Sequence, residues 1–348
     1  MNVLILEFWG LGDAIIMTPL LQALRAENVS VTVACKPGSA KLLSPSYPEV
    51  EYVTADMPWT AFRGKYHLWK WDWKSLAAYF HGLRRRNFDV VLSVRPDPRD
   101  QMLMWLMGIR RRIGFKTHFS NVFLTDVLSP PVEPRPVAEN WMALQKYLFP
   151  GTITYPPALR SGSYPNLDIL SKLSANQPVI GLHTGARIPV RRWATDKFRE
   201  LIIRLRKEYQ FSLLLFPDLD GYGGDLEDLA DVTLYNTDLE HLVGAISHCD
   251  LLICNDSAPA HIADALGVNV ISVFGPTDPI RFRPYSPRNL VVIRDICPHR
   301  PCFDYCRFAE PYCLSKLEVS EIWPEVAHHL NELISSGGLL AHLRKKTH

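Results

Sequence analysis

The residues able to do chemistry collect where apolar runs end. Gly10-Leu11-Gly12-Asp13 follows the first such run, Val3–Leu6. Glycines there permit a tight turn and let a ligand approach backbone N–H groups at a helix start. The third glycine of a dinucleotide fingerprint is missing, so the run alone specifies no cofactor. Asp13, at the carboxyl edge of a strand, is a candidate general base for deprotonating an attacking hydroxyl. A helix N-terminus would lower its pKa, so basicity calls for partial desolvation. On local grounds Asp13 is equally a helix cap. Pro19 suits a helix restarting with Thr18 as cap, which leaves Asp13 in a loop-like first turn.

A second group, Asn255-Asp256-Ser257-Ala258-Pro259-Ala260-His261, lies between the apolar run Leu251–Cys254 and a helical stretch to Leu266. A strand end, a small hydroxyl residue and a helix start together make a phosphate seat, since backbone donors and the helix dipole both favour an anion. The plain alternative is a helix capped by Asp256 or Ser257. His261 on the first turn favours the anion seat. So does Phe274-Gly275-Pro276-Thr277-Asp278-Pro279, which ends the next strand at the same edge. A third group, His183-Thr184-Gly185-Ala186, leaves another strand and leads to Arg187, Arg191, Arg192 and Trp193. Such arginines neutralise a departing diphosphate, or else form an ordinary solvated loop.

Cys297, Cys302, Cys306 and Cys313 are spaced C-x4-C-x3-C-x6-C, which is not the spacing of a common zinc finger. Clustered thiolates suit zinc, ferrous iron or an iron–sulfur cluster, and reduced structural thiols are the alternative. His299 is a reserve ligand, and Arg300 and Arg307 would offset thiolate charge. Farther upstream, Trp59, Trp69, Trp71 and Trp73 interleave with Arg63, Lys65, His67, Lys70 and Lys74. That loop could meet a membrane surface or an anionic glycolipid, or bury its tryptophans as packing. Arg84–Arg86 reads as a helix end, where cations complement the dipole.

Short apolar runs alternating with helical patterns position all of these residues. Val3–Leu6, Val29–Ala34 and Asp89–Val94 read as strands in the first half, with a helix over Ser75–Arg86. Val179–His183, Phe211–Phe216, Leu251–Cys254 and Val270–Phe274 read as strands in the second, with helices over Thr195–Tyr209 and Leu239–His248. Such alternation predicts an α/β protein with parallel sheets. A proline-rich stretch, Ser129–Pro165, interrupted by a helix over Ala138–Leu148, separates the halves. The expected domains are residues 1–160 and 161–348, with a ligand cleft between them. The formal net charge of +2 over 348 residues gives no global field for nucleic acid. Met1–Glu7 lacks the basic start of a secretory signal, and no run is apolar enough to span a membrane. Seven cysteines, an odd number, argue against a disulfide framework, so a cytoplasmic setting is expected.

Taken in order, these motifs resemble glycosyltransferase family 9, the ADP-heptose:lipopolysaccharide heptosyltransferases. The resemblance rests on Gly10-Leu11-Gly12-Asp13-x5-Pro19-Leu20-Leu21-x-Ala23-Leu24-Arg25 and Arg111-Arg112-Ile113-Gly114-Phe115. It continues through His183–Trp193, Asn255-Asp256-Ser257-x3-His261 and Val273–Pro279, spanning residues 1 to about 330. It implies a GT-B fold of two facing Rossmann-like domains and an inverting displacement with no catalytic metal. Acceptor and base would then belong to residues 1–160 and the donor to residues 161–348. Asp13 matches the family's base. Arg191 matches a position usually held by lysine, assisting the leaving diphosphate. Gly12, His183, Thr184, Gly185, Asp256, Ser257, Ala258 and His261 match donor-binding positions. Ser257-Ala258 replaces the usual Thr-Gly.

The late cysteines, in the loop 297–313, are similar to those of autotransporter heptosyltransferases, which implies a structural zinc or iron. The expected partners are ADP-heptose and a glycolipid or protein acceptor, at the inner face of the cytoplasmic membrane, and no nucleic acid. Two other readings stay open: another nucleotide sugar, or a metal-bearing nucleotide-binding protein without transferase activity.

Overall fold

The computed structural model describes residues 1–60, 67–117, 120–174 and 176–336. The chain divides into two units, Met1–Pro157 and Ala158–His348, with the division inside the proline-rich stretch. Both units are α/β and Rossmann-like.

In the first unit the elements run β1 (Asn2–Glu7), α1 (Leu11–Ile16), α2 (Thr18–Ala26), β2 (Ser30–Cys35), α3 (Pro37–Leu43), β3 (Glu51–Thr54) and α4 (Trp73–Arg84). They continue with β4 (Val90–Ser93), α5 (Pro98–Leu106), β5 (Arg111–Phe115), β6 (Asp126–Leu128) and α6 (Ala138–Leu148). The strands form one parallel sheet in the order β3-β2-β1-β4-β5-β6. β1 and β4 are near-continuous apolar runs because helices cover both faces of a parallel sheet. Leu4, Leu6, Val91 and Met104 are buried in its core. Asp72 and Asp97 start α4 and α5 by accepting the N–H of Ser75 (3.0 Å) and Arg99 (2.9 Å).

The second unit repeats this plan. Its elements are β7 (Val179–His183), α7 (Thr195–Glu208), β8 (Ser212–Phe216), β9 (Val232–Thr233), α8 (Leu239–Ile246) and β10 (Leu251–Asn255). Then come α9 (Ala258–Ala265), β11 (Asn269–Val273), α10 (Pro279–Phe282), β12 (Leu290–Val292), α11 (Tyr312–Ser315) and α12 (Val319–Ser335). The parallel order β12-β11-β10-β7-β8-β9 is the first unit's order read from the opposite edge. Trp193, Phe198 and Leu201 pack with Leu182 and Ile253 in its core. In each sheet the first strand pairs with the fourth, so the chain winds away in both directions from that pair. Ligands of doubly wound sheets bind at the carboxyl ends of such strands.

Candidate active site

In the first unit, the register Val3↔Val90, Leu4↔Val91 and Ile5↔Leu92 brings the loops after β1 and β4 together. Asp13 is the third residue of α1. One carboxylate oxygen, Oδ2, accepts the Gly10 N–H at 2.9 Å, and Oδ1 pairs with the guanidinium of Arg95. Asp13 therefore lies on a helix that it caps itself, not in a loop-like first turn. Its own bond to Gly10 stabilises the six-residue helix that the glycines disguised. Thr18 is likewise the first residue of α2 rather than its cap, and its hydroxyl donates to the Ile15 carbonyl at 2.7 Å. Gly12 sits beside Asp13 on α1.

The surroundings are acidic and aromatic. The guanidinium of Arg95 lies 4.5 Å above the Trp9 ring. Glu7, buried at the end of β1, accepts the Trp9 N–H at 3.1 Å, and burial pushes its carboxyl up to about 7. Burial, reinforced by nearby Asp97, raises Asp100 to about 7 as well, although Trp59 donates its indole N–H to it at 3.3 Å.

In the second unit β7 and β10 are neighbours, with His183 opposite Cys254. Asn255, fully buried, ties the two strand ends together. Its Nδ2 donates to the Thr184 carbonyl at 2.6 Å, and its Oδ1 accepts the Trp193 N–H at 3.0 Å. Thr184 donates its hydroxyl to the Tyr222 carbonyl at 3.0 Å. A Cβ on Gly185 would stand 2.5 Å from the Asp218 carboxylate, so only glycine fits that approach without displacement. His183 is buried, and burial holds its imidazole down to about 4.

Neither Asp256 nor Ser257 caps α9. The Ser257 hydroxyl donates to the Asn255 carbonyl at 3.2 Å, and no side chain accepts from the first turn. Asp256 instead accepts the Thr277 hydroxyl at 2.5 Å and faces Arg191 at 3.5 Å. Burial raises its pKa, opposed by Arg191 and then by Thr277. Arg191 also reaches Asp304 at 2.9 Å and the Phe303 carbonyl at 3.4 Å. His261, on the first turn of α9, is held down to about 4 by burial. The three arginines separate. Arg192 is occupied by Asp218 and Asp220, each at 2.6 Å, Arg187 is exposed, and Arg191 alone of the three joins Asp256.

The four late cysteines carry free thiols. Cys297 and Cys313 are buried in the core of the second unit, whereas Cys302 and Cys306 are half-exposed. Burial raises Cys313 to about 11, and Cys297 and Cys302 lie close enough to add to that rise. Cys302 is raised by burial and by nearby Cys306 and Cys297. The donor chemistry suits a soft metal, with Arg300 beside it as counter-charge. As the side chains stand, however, no group of three or more His, Cys, Asp or Glu among the described residues forms a ligand set. The segment is bolted to the loop after β11: the N–H groups of Cys302 and Phe303 donate to the Pro276 carbonyl at 2.9 and 3.1 Å, and Arg300 donates to the Thr277 carbonyl at 3.2 Å.

The upstream tryptophans divide between two roles. Trp59 is core, while Trp69 and Trp73 are 78% and 56% exposed. A cavity of ≈ 370 Å³ is lined by Asp56, Lys70, Trp71, Asp72, Ser75 and Tyr79, among others. Arg63 and Lys65 lie outside the described residues. No motif marks Arg95, Glu7, Asp100 or Asp304, whereas Thr277 stands in the Phe274–Pro279 motif. The available signal was the dense run Arg95-Pro96-Asp97-Pro98-Arg99-Asp100 directly after a strand.

The family model "Glycosyltransferase family 9 (heptosyltransferase)" matches residues 76–313. Lipooligosaccharide heptosyltransferase 2 of Haemophilus influenzae is 23% identical over 84% of this chain and 88% of its own. Among solved structures, the Escherichia coli heptosyltransferase WaaC with ADP superposes with a TM-score of 0.71 at 17% identity, covering 94% of this chain and 100% of that one. The iron-containing glycosyltransferase TibC of enterotoxigenic E. coli gives 0.57 at 15% identity, over 95% and 77%. TibC has also been solved with ADP-D-beta-D-heptose. At these identities the structures establish the shared fold, the GT-B architecture of the heptosyltransferases.

Proposed function

The chain belongs to glycosyltransferase family 9 and is an enzyme of that heptosyltransferase family, and we propose that it moves a heptose from ADP-heptose, with inversion, to a saccharide acceptor resembling a lipopolysaccharide core. The observation that carries the donor half is the uncapped start of α9, flanked by Arg191, Asp256 and Thr277. Helix N–H groups with an adjacent arginine are suited to a diphosphate. The relatives solved with ADP and with ADP-heptose support that choice.

Asp13 removes the acceptor's proton as its oxygen attacks the anomeric carbon, and Arg191 and the α9 start take up charge growing on the departing ADP. His183, Thr184, Gly185, Ser257, Ala258 and His261 line the donor side, and no metal takes part in the displacement. The exposed Trp69 and Trp73, with the cavity lined by Trp71, Tyr79 and two aspartates, supply stacking faces and acceptors suited to a sugar. They are our candidate surface for a glycolipid at the inner face of the membrane. No helix among the described residues is long and apolar enough to cross one. Cys297, Cys302, Cys306 and Cys313 would hold a structural zinc or iron after their side chains turn inward, a reading supported by their mutual proximity and by iron-containing TibC.

Mass spectrometry with a donor panel tests the reading. ADP-heptose should be cleaved to ADP and a heptose mass gained by a core-saccharide acceptor. Cleavage of UDP- or GDP-sugars in its place would move the chain to a different donor on the same fold.

A further inference from the structure

The base assigned to Asp13 has a cation built against it. Arg95 is separated from Asp13 by 82 positions, yet its Nη2 pairs with Oδ1 while Gly10 occupies Oδ2. Three constraints fix the arginine there. β1 and β4 are paired, so the residue two beyond Ser93 must emerge beside the β1–α1 loop. Its backbone N–H donates to the Ser93 hydroxyl at 3.3 Å, and Pro96 restricts it to extended conformations. Trp9 covers its guanidinium face at 4.5 Å. Arg95 also attracts Glu7 and Asp100 and lowers both, but burial outweighs it at each. Asp97 is engaged by Arg99 through 2.9 and 2.7 Å bonds, and buried Glu7 and Asp100 favour their neutral forms up to about pH 7. Asp13 and Arg95 are each about one-fifth exposed, at 21% of their side-chain area, so the pair is screened less than a surface ion pair.

We propose that Arg95 is a positioning residue for transfer: it orients the Asp13 carboxylate toward the acceptor hydroxyl and keeps it ionised until the proton arrives. This rests on the reading of Asp13 as the base. In the step itself the acceptor O–H breaks and its proton bonds to Asp13. The freed electron pair forms the new bond to the anomeric carbon, and ADP leaves with the pair of the old one. Asp13 then returns its proton to solvent, a release that Arg95 favours by attracting the carboxylate.

The test is the pH dependence of kcat in Arg95→Met and Arg95→Lys at saturating ADP-heptose and acceptor, with ADP affinity and thermal unfolding as controls. In Arg95→Met the acid limb of the profile should move up by about one pH unit or more, the effect of a cation withdrawn from a carboxylate. Plateau kcat should fall about tenfold while ADP affinity stays put, since orientation is lost without loss of donor contacts. Arg95→Lys should return the limb to its wild-type position but leave kcat below wild type, because an ammonium keeps the charge and not the fork. A folded Arg95→Met with an unmoved limb overturns the proposal. Should that variant fail to fold, full kcat in Arg95→Lys overturns it and a wild-type limb with lowered kcat supports it. Asp13→Asn separates the two readings. Retained kcat there removes the base assignment itself, whereas an inactive Asp13→Asn beside an unmoved limb in Arg95→Met removes only the role of Arg95.

Discussion

The two units share one strand order and place opposite chemistry on its central pair of strands, after the first strand in one unit and after the fourth in the other. After β1 the helix start is closed: Asp13 turns back and takes the Gly10 N–H. After β10 it is open: Asp256 turns aside to Thr277 and Arg191, and no side chain caps α9. A self-capped start keeps a carboxylate at the sheet edge and repels an incoming anion, while an uncapped one leaves its N–H groups for a phosphate. Strand order decides which loops meet. The direction in which one aspartate turns decides whether their junction holds a negative charge or receives one.

The sharpest way to break this contrast is Asp13→Asn. It should lower kcat by about 10² or more while ADP affinity, measured by calorimetry, is unchanged. A small change in kcat would make Asp13 a cap and nothing else.

Next in size is the stability of the first unit against pH. The folded pKa of Glu7 is raised from 4.5 to about 7, so its contribution is fully present below about pH 4.5 and is lost as pH rises through about 7. Glu7→Gln removes that loss and keeps an acceptor for the Trp9 N–H. The variant should match wild type near pH 4 and exceed it by up to about 3 kcal/mol at pH 8, read from urea unfolding. Equal stability at pH 8 would show that water reaches the carboxyl.

Smaller again is the donor seat. Asp256→Ala and His261→Ala should each weaken ADP binding by about tenfold, roughly the value of one charge-assisted hydrogen bond. Unchanged affinity in both would move the anion elsewhere and cancel the contrast between the units. The smallest effect on chemistry belongs to Cys302→Ser. It should lower bound zinc or iron, determined by elemental analysis, and the melting temperature by a few degrees, with kcat nearly intact. Metal well below one per chain in wild-type protein prepared without chelator would leave four ordinary thiols.

Much of this was legible because strands buried on both faces read as unbroken apolar runs. Val179–His183 and Ala138–Leu148 have the boundaries their residues imply. Positions immediately after strands could be singled out one at a time, and Asp13, Asp256 and Arg191 were. Their partners could not, since partnership depends on strand adjacency. Arg95 meets Asp13 only because β4 lies beside β1, and Arg191 meets Asp304, 113 positions on, only through the folded late loop. The helix under Asp13 was hidden for a local reason: two glycines weaken helix propensity, and the compensating cap is the same residue the chemistry claims.

Cys302 and Phe303 hang from the carbonyl of Pro276, and Asp304 grips Arg191. Detaching the loop therefore releases Arg191 from Asp304, leaving it on Asp256, and exposes two backbone amides in the same event. On the proposed reading, occupancy of Arg191 and local opening of the loop are thermodynamically linked: a ligand that prefers the docked loop would slow amide exchange at residues 302 and 303, at saturation, by the factor by which opening weakens its binding. Hydrogen–deuterium exchange at residues 302 and 303 would thus test ligand occupancy without any turnover.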